Sequence, residues 1–529
     1  MIKETSSKRY IIPFYLMIFM AIGILIGNSF SSTSKYDLKE GNSYTKVKDI
    51  IDILDTRYVD NVDASRLFDQ TISDMLHKLD PHSNYISAKD IKIANEQIQG
   101  EFGGVGVRFT LLRDTICITN VIEKSPSDKV GLKAGDKILK INGKKVAGVK
   151  ISNEKVMHFL KGKQGTSVKV VLLRVNNLIS KLITRDLIAI SSISSSYMIT
   201  PSIGFIKIDQ FSITTANEFK AQVAVLKLKG MQKLILDLRN NGGGVLQSAV
   251  EIVDEFLEQG KVIVKTKGTH SKEQIYRASK NGMLHNLPLV VLVNSNSASA
   301  SEIVAGALQD NDRALIIGRR TYGKGLVQED ILLKDGSDIR LTIARYYTPT
   351  GRCIQRPYSA NYDAYLNDEE NRLEHGEQFH VDSTLLVDSL KFKTPKGKIV
   401  YGGGGILPDL FIPIDTIGAS WYYSELRFSS AFQNFAFDYL DGKRMIYKDL
   451  DVFSNSFEIS KVVLNQFFEY AERNFHIKKT PLGNPRSKEL ISVTLKAEIA
   501  RQLWEEDGFY RILNNYDNEV KKAVSFLKR

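Results

Sequence analysis

Between residues 42 and 78 apolar positions recur every three or four residues: Val47, Ile50, Ile51, Leu54 and Tyr58, then Leu67, Ile72, Met75 and Leu76. That spacing lines one face of a helix, so amphipathic helices are predicted, with Pro81 as their stop. From 100 to 175 the pattern changes to short β-like runs set among glycines. From 203 to 355 continuous apolar runs alternate with helical stretches: IGFIKI, a helix from Thr214, LILDL, a helix from Val245, PLVVLVN, a helix from Ser299, ALIIG, and IRLTIARYYT. Such alternation predicts an α/β core with buried strands. Residues 418–529 turn helical again, rich in aromatics and broken at Pro481 and Pro485, with no internal repeat anywhere.

One apolar stretch is not amphipathic. From Tyr10 to Gly27 (YIIPFYLMIFMAIGILIG) no charge interrupts it, and Lys3, Lys8 and Arg9 precede it. As a helix it would span roughly 27 Å, near the hydrocarbon thickness of a bilayer. The preceding positive charges hold the N-terminus in the cytoplasm and send the rest across. The run is either a retained anchor or a cleaved signal, with the small, polar 27–34 stretch as the place for cleavage. The expected division is 1–9 cytoplasmic, 10–27 transmembrane anchor or signal segment, 28–40 linker, 41–92 N-terminal helices, 93–178 a β-domain, 179–415 the α/β core, and 416–529 a C-terminal helical region.

Composition narrows this little. Apolar residues at 43% and charged residues at 25% fit a globular chain of several domains. The net charge of +12 admits nucleic acid or anionic lipid. With no basic helix carrying interleaved aromatics and no zinc-finger spacing, a solvated basic surface is the better reading, and nucleic acid is not expected as a partner. Cys117 and Cys353 are far apart, so a disulfide framework is not expected and both read as small core residues.

In the β-domain, EFGGVGVRF (Glu101–Phe109) precedes SPSDKVGLKAGDKILKINGKKV (Ser125–Val146). The first segment's glycines let successive N–H groups converge into a nest for a carboxylate. The second reads as a short helix, a turn at Gly135–Asp136, a strand and an Asn142–Gly143 hairpin, with Arg174 on a strand that would close a small barrel. A glycine-rich turn in an ordinary β-domain is the plain alternative. Together the segments resemble a PDZ domain. The resemblance implies an extended peptide added beside Val105–Phe109, its terminal carboxylate held by backbone N–H near Phe102, Gly103 and Gly104, with Val105 and Gly106 completing the site.

Three segments of the core carry candidate chemistry. LILDLRNNGGG (Leu234–Gly244) ends a buried strand in a glycine turn suited to an oxyanion hole. VNSNSASASEIVAGALQD places Ser299 between a strand and a helix N-terminus, where a nucleophile or a simple helix cap would sit. RRTYGKGLVQ encloses Lys324 between glycines, where burial would favour the neutral amine that can act as a general base. A surface turn is the ordinary fate of such a lysine, and the glycine spacing does not fit a phosphate-binding loop. None of the eight histidines lies in these segments, and no HExxH occurs; His270 and His285 are the only evident stand-ins for a base. Neither metal nor other cofactor is called for.

NSNSASASEIVAGALQD, RRTYGKGLVQ, LDLRNNGGG and RYYTPTGRCIQ, with LDPHSNYIS and YGGGGILPD, are similar to segments of the carboxy-terminal processing (tail-specific) proteases, serine peptidase family S41. The likeness covers roughly 42–415. It implies a multidomain α+β protein: a crotonase/ClpP-like α/β protease core with an inserted PDZ β-barrel between helical ends. It implies Ser299 as nucleophile, Lys324 as base, Gln328 holding the lysine, and oxyanion donors at Ala300 and at Gly243 or Gly244. Arg239, Glu302, Asp310 and Thr321 match supporting positions. Gly242 departs from the pattern, standing where many members have proline, and leaves the loop looser. The expected activity is that of an endopeptidase acting on tailed protein substrates in the bacterial cell envelope. The catalytic part would be anchored at the inner membrane facing the periplasm, or secreted there if the N-terminal segment is cleaved. A homo-oligomer or an adaptor protein stays open as a further partner. A protease-dead PDZ scaffold and an oligopeptidase of the same clan are the rival readings; both catalytic side chains are present against the first, and the PDZ module speaks against the second.

Overall fold

The computed structural model describes residues 43–358, 362–480 and 485–529. The apolar run 10–27 lies outside the described residues, and among those described no helix is long and apolar enough to cross a membrane. The described residues divide into two units, 43–74 and 75–529. The first unit holds the helix Ser43–Arg57 and most of the helix Ala64–His77, which stops ahead of Pro81 as its pattern predicts.

The second unit is built on a six-stranded sheet ordered Ile193–Thr200, Ile203–Ile208, Lys233–Asp237, Leu289–Val293, Leu315–Gly318, Leu410–Phe411. The first pairing is antiparallel and the others parallel. Strands buried on both faces favour apolar side chains along their length, which explains the runs; the buried Lys207 among them donates its Nζ to the Arg239 carbonyl at 2.7 Å. Leu234, Leu236, Val291 and Val293 face the helices Thr215–Leu228, Leu246–Asp254 and Ala300–Asp310. Ile235, Val290 and Leu292 face the last helix of the chain, Asn518–Lys528, through Val520, Ala523 and Leu527. That helix thus covers the second face of the sheet.

IRLTIARYYT does not join this sheet. Asp338–Tyr347 pairs antiparallel with Leu326–Leu332, Val262–Lys267 and the short strand Asn84–Ile86 in a second sheet. Its positions are mostly half-buried, as a sheet covered less fully requires.

Residues 101–189 form the β-domain. Six strands from Val107 to Thr184 make one antiparallel sheet around Ile116, Ile118, Ile138, Val156, Val170 and Leu172. Asn142 and Gly143 both take positive φ in the predicted hairpin turn. The barrel expectation is corrected: Glu101–Gly104 pairs with Asp186–Ala189 in a separate two-stranded sheet. Arg174 instead forks onto buried Asp136 at 2.7 and 2.8 Å and donates to the Gly131 carbonyl.

From Trp421 to Leu513 a helical layer packs around its own aromatic core, including Tyr422, Phe432, Phe435 and Phe467. Pro485 opens its longest helix, where a missing N–H costs nothing. Pro481 lies outside the described residues.

Candidate active site

Ser299 follows the strand Leu289–Val293 and caps the helix Ala300–Asp310, with φ 54 and ψ −113. That combination lies outside the left-handed basin and marks a strained backbone. The surroundings hold it there. The Ser297 hydroxyl donates to the Leu238 carbonyl at 2.8 Å, and the Ala298 N–H and Ser301 hydroxyl both donate to the Asn241 carbonyl. These bonds tie the serine turn to the glycine turn. Gly243 has φ 97, and a Cβ there would lie 2.8 Å from the Ser299 Cβ and 2.9 Å from the Ala300 nitrogen. Only glycine allows the approach.

Of the expected oxyanion donors, Gly243 is corrected: its N–H donates to Asn241 Oδ1 at 2.8 Å within the loop. Phe211 N–H donates to the Gly243 carbonyl, and Val245 N–H to the Phe211 carbonyl. This bridge leaves the intervening Gly244 N–H turned away from Phe211. Ala300 opens the helix, so its N–H has no partner within it.

One fully buried carboxylate joins the serine to the lysine. Glu302 accepts from the Ser299 N–H at 2.9 Å, the Lys324 N–H at 2.8 Å, the Gly323 N–H at 2.7 Å and the Thr321 hydroxyl at 2.5 Å. As the third helical residue it supplies the glutamate half of a capping box, while its own N–H donates to the Ser299 carbonyl at 2.8 Å. Burial pushes its carboxyl above the usual range, and those four donors pull the other way. Tyr346 adds a second staple, its hydroxyl 2.5 Å from the Lys324 carbonyl and 3.2 Å from the Ser299 carbonyl.

Burial lowers the Lys324 amine below the usual lysine range, and the Arg340 guanidinium lowers it further; the Glu302 and Asp80 carboxylates oppose this. Ser299, Ala300, Gly244, Lys324, Gln328 and Tyr346 line one cavity of ≈ 500 Å³. Gln328 pairs with Thr342 across the second sheet and donates its Nε2–H to the Thr342 hydroxyl at 3.3 Å.

The supporting residues divide. Glu302 bonds the Ser299 and Lys324 loops directly, and Thr321 donates to it. Arg239 forks onto Asp237 and reaches Asp517 and Glu519, fixing the glycine turn to the last helix. Asp310 pairs with fully buried Arg352 at 2.7 Å and caps Thr350. Both lie outside the cavity lining.

The histidine expectation is corrected. His270 is exposed, and the His285 Nδ1 is engaged by the Gly282 carbonyl. His82 is the histidine close enough to feel Lys324. Burial first, then the Lys324 charge, push it down to about 3, so it is neutral and bonds Tyr365 through Nε2 at 2.8 Å. Sequence reasoning missed His82, Tyr346 and Thr342; only the segments LDPHSNYIS and RYYTPTGRCIQ, matched as wholes, pointed near them.

In the β-domain, Phe102, Gly103 and Gly104 are taken up in the ladder with Asp186–Ala189, which corrects the nest placed there. The positive-φ turn is at Gly106, with φ 79, and Val105 is buried with its carbonyl accepting the Ser127 N–H. Val107–Leu112 then forms the edge strand of the six-stranded sheet.

Comparison with known proteins follows the same lines. Residues 202–361 match Peptidase family S41, residues 103–182 the PDZ domain, and residues 26–90 the activating protease CtpB N-terminal domain. Residues 422–505 match a family of unknown function, DUF8443. The chain is 36% identical over 360 residues to the carboxy-terminal-processing protease of Bartonella bacilliformis, covering 66% of this chain and 80% of that one. It is 36% identical over 337 residues to the carboxy-terminal processing protease CtpA of Bacillus subtilis, covering 63% and 70%. It is similar to the solved photosystem II D1 C-terminal processing protease, 29% identical over 59% of this chain and 84% of that one, with a TM-score of 0.34. The chain therefore belongs to the carboxy-terminal processing proteases of peptidase family S41, and is a serine-type peptidase with a PDZ domain.

Proposed function

We propose that the peptidase works with a Ser299–Lys324 dyad on a crotonase/ClpP-like core, cutting extracytoplasmic proteins whose C-terminal tails bind the PDZ domain. The Glu302 carboxylate carries the reading, since it holds the Ser299 and Lys324 backbones to one point beside one cavity. Lys324, whose ammonium burial disfavours, acts in its neutral form: its Nζ takes the proton from Ser299 Oγ as Oγ bonds the scissile carbonyl carbon. The N–H groups of Ala300 and Gly244 receive the oxyanion. The ammonium then protonates the leaving amine as the C–N bond breaks. Water next attacks the acyl-enzyme, its proton passing through Lys324 to Ser299 Oγ.

The edge strand Val107–Leu112 supports the tail reading, because an unpaired ladder can accept one more strand. The tail's carboxylate would lie at the Gly106 turn. The 10–27 run supports export or anchoring of the catalytic part.

The test incubates wild type, Ser299→Ala and Lys324→Ala with a protein substrate carrying or lacking an apolar C-terminal tail. Both variants are expected to lose cleavage by at least ~10³-fold, with the tailed substrate cut faster by wild type. A Lys324→Ala enzyme that cleaves normally would remove the dyad.

A further inference from the structure

The segment LDPHSNYIS reaches the site through a buried carboxylate. Asp80 is 7% exposed. Its partners are all neutral donors: the His82 N–H at 2.8 Å, the Ser83 N–H at 2.9 Å, the Ser83 hydroxyl at 2.5 Å and the Thr342 hydroxyl at 3.0 Å. The strand Asn84–Ile86 pairs along one side of Asp338–Tyr347, opposite Leu326–Leu332, and so brings Asp80 beside Thr342. Burying a carboxylate on neutral donors is costly, and a turn alone does not require it.

The chemistry of the chain of bonds is directional. A carboxylate only accepts, so the single hydroxyl proton of Thr342 is committed to Asp80. The Thr342 oxygen can then only accept from Gln328, which turns the amide's Nε2 toward Thr342. An amide carries its oxygen on the other side, so Oε1 is the end left for the lysine in the shared cavity.

We propose that Asp80 is a positioning residue of the active site: acting through Thr342, it fixes which end of the Gln328 amide meets Lys324, so that Oε1 accepts from the amine and aligns its lone pair with Ser299. This rests on the dyad reading above. Four ionisable groups bear on Lys324: Arg340 disfavours the ammonium, Glu302 and Asp80 favour it, and His82 is neutral and half-buried.

The experiment follows acylation of Ser299 by a fluorophosphonate, together with kcat, KM and pH profiles on a peptide substrate. Thr342→Val, which keeps the shape and loses the hydroxyl, is expected to slow acylation and kcat about tenfold with KM nearly unchanged, the effect of one lost hydrogen bond. Thr342→Ser is expected to recover most of it. Asp80→Asn removes a charge that favours the ammonium, so the acid limb of kcat/KM moves to lower pH. Thr342→Val leaves that limb in place. Acylation by Thr342→Val at the wild-type rate, or no rescue by Thr342→Ser, overturns the positioning role even if Asp80→Asn fails to fold. Inactive Ser299→Ala and Lys324→Ala enzymes beside an unaffected Thr342→Val enzyme would leave the dyad standing and this role refuted. An active Lys324→Ala enzyme would refute both.

Discussion

Ser299 is held against its own backbone preference, and the groups that hold it come from distant parts of the chain. The serine and the lysine were legible because their small flanking residues are local: alanines beside one, glycines beside the other. Tyr346, Thr342, Asp80 and His82 were not, because nothing near them in sequence states which loop they will meet; strand pairing decides that. His82 gives a residue-level prediction. In the folded protein it stays neutral down to about pH 3, while the unfolded chain takes a proton near 6.5. The depressed folded value means its stabilising contribution is complete above pH 6.5 and is lost as pH falls toward 3. Each pH unit in that window costs up to about 1.4 kcal/mol. His82→Gln keeps a polar side chain and removes the titration. Urea midpoints at pH 7.5 and 4.5 should fall further apart for wild type than for the variant; equal differences would exclude His82 as the source.

Elements were read more completely than the bonds between them. Every strand and helix predicted from 203 to 318 is present, because the strands are short continuous apolar runs bounded by turn residues and the stretches between them are long enough for helices. The sheet to which IRLTIARYYT belongs was not legible, since its antiparallel partners are scattered, one before the parallel core and two between its strands. The glycine turn shows how neighbouring positions in one element differ. A Cβ at Gly242 meets nothing within 4 Å, whereas at Gly243 it meets the Ala298 carbonyl oxygen at 2.7 Å. Gly242 lies outside the left-handed region, and Gly243 has φ 97. Gly242→Ala should therefore raise stability by about 0.5 kcal/mol, by restricting the unfolded chain, and leave activity intact. Gly243→Ala should destabilise by more than about 1 kcal/mol and cut kcat at least tenfold, since backbone atoms on the serine turn must move. Thermal unfolding and peptide hydrolysis of the two variants check this, and equal behaviour would count against the packing described.

At the scale of the whole molecule, the C-terminal region joins the PDZ domain to the catalytic sheet. Toward the sheet, Asp507 accepts from the Ser195 hydroxyl at 2.8 Å and Asn514 donates to the Tyr197 hydroxyl at 2.9 Å. Toward the PDZ domain, one Arg113 nitrogen, Nη2, donates to both Asp438 oxygens at 2.8 and 2.9 Å, and Phe437 packs on Leu112 and Cys117. Strand alternation explains the last contact. Ile116 and Ile118 point into the PDZ core, so Cys117 between them points out, and Phe437 is what covers it. Cys117 is buried as expected, but beneath another domain. Magnitudes rank the two attachments. Arg113 is 65% exposed, and an exposed ion pair is worth about 0–1 kcal/mol. Emptying the space of a buried phenylalanine costs about 3 kcal/mol or more. Phe437 should therefore hold the domains together and Asp438 only orient them. The Cys117 thiol reports on this directly: burial raises it to about 11, so it reacts only when uncovered. In a Cys353→Ser background, Phe437→Ala should speed labelling of Cys117 by a disulfide reagent at least tenfold, while Asp438→Asn changes it by less than about threefold. If Asp438→Asn exposed the thiol and Phe437→Ala did not, the ion pair would be the clamp and this ranking of the contacts would be wrong.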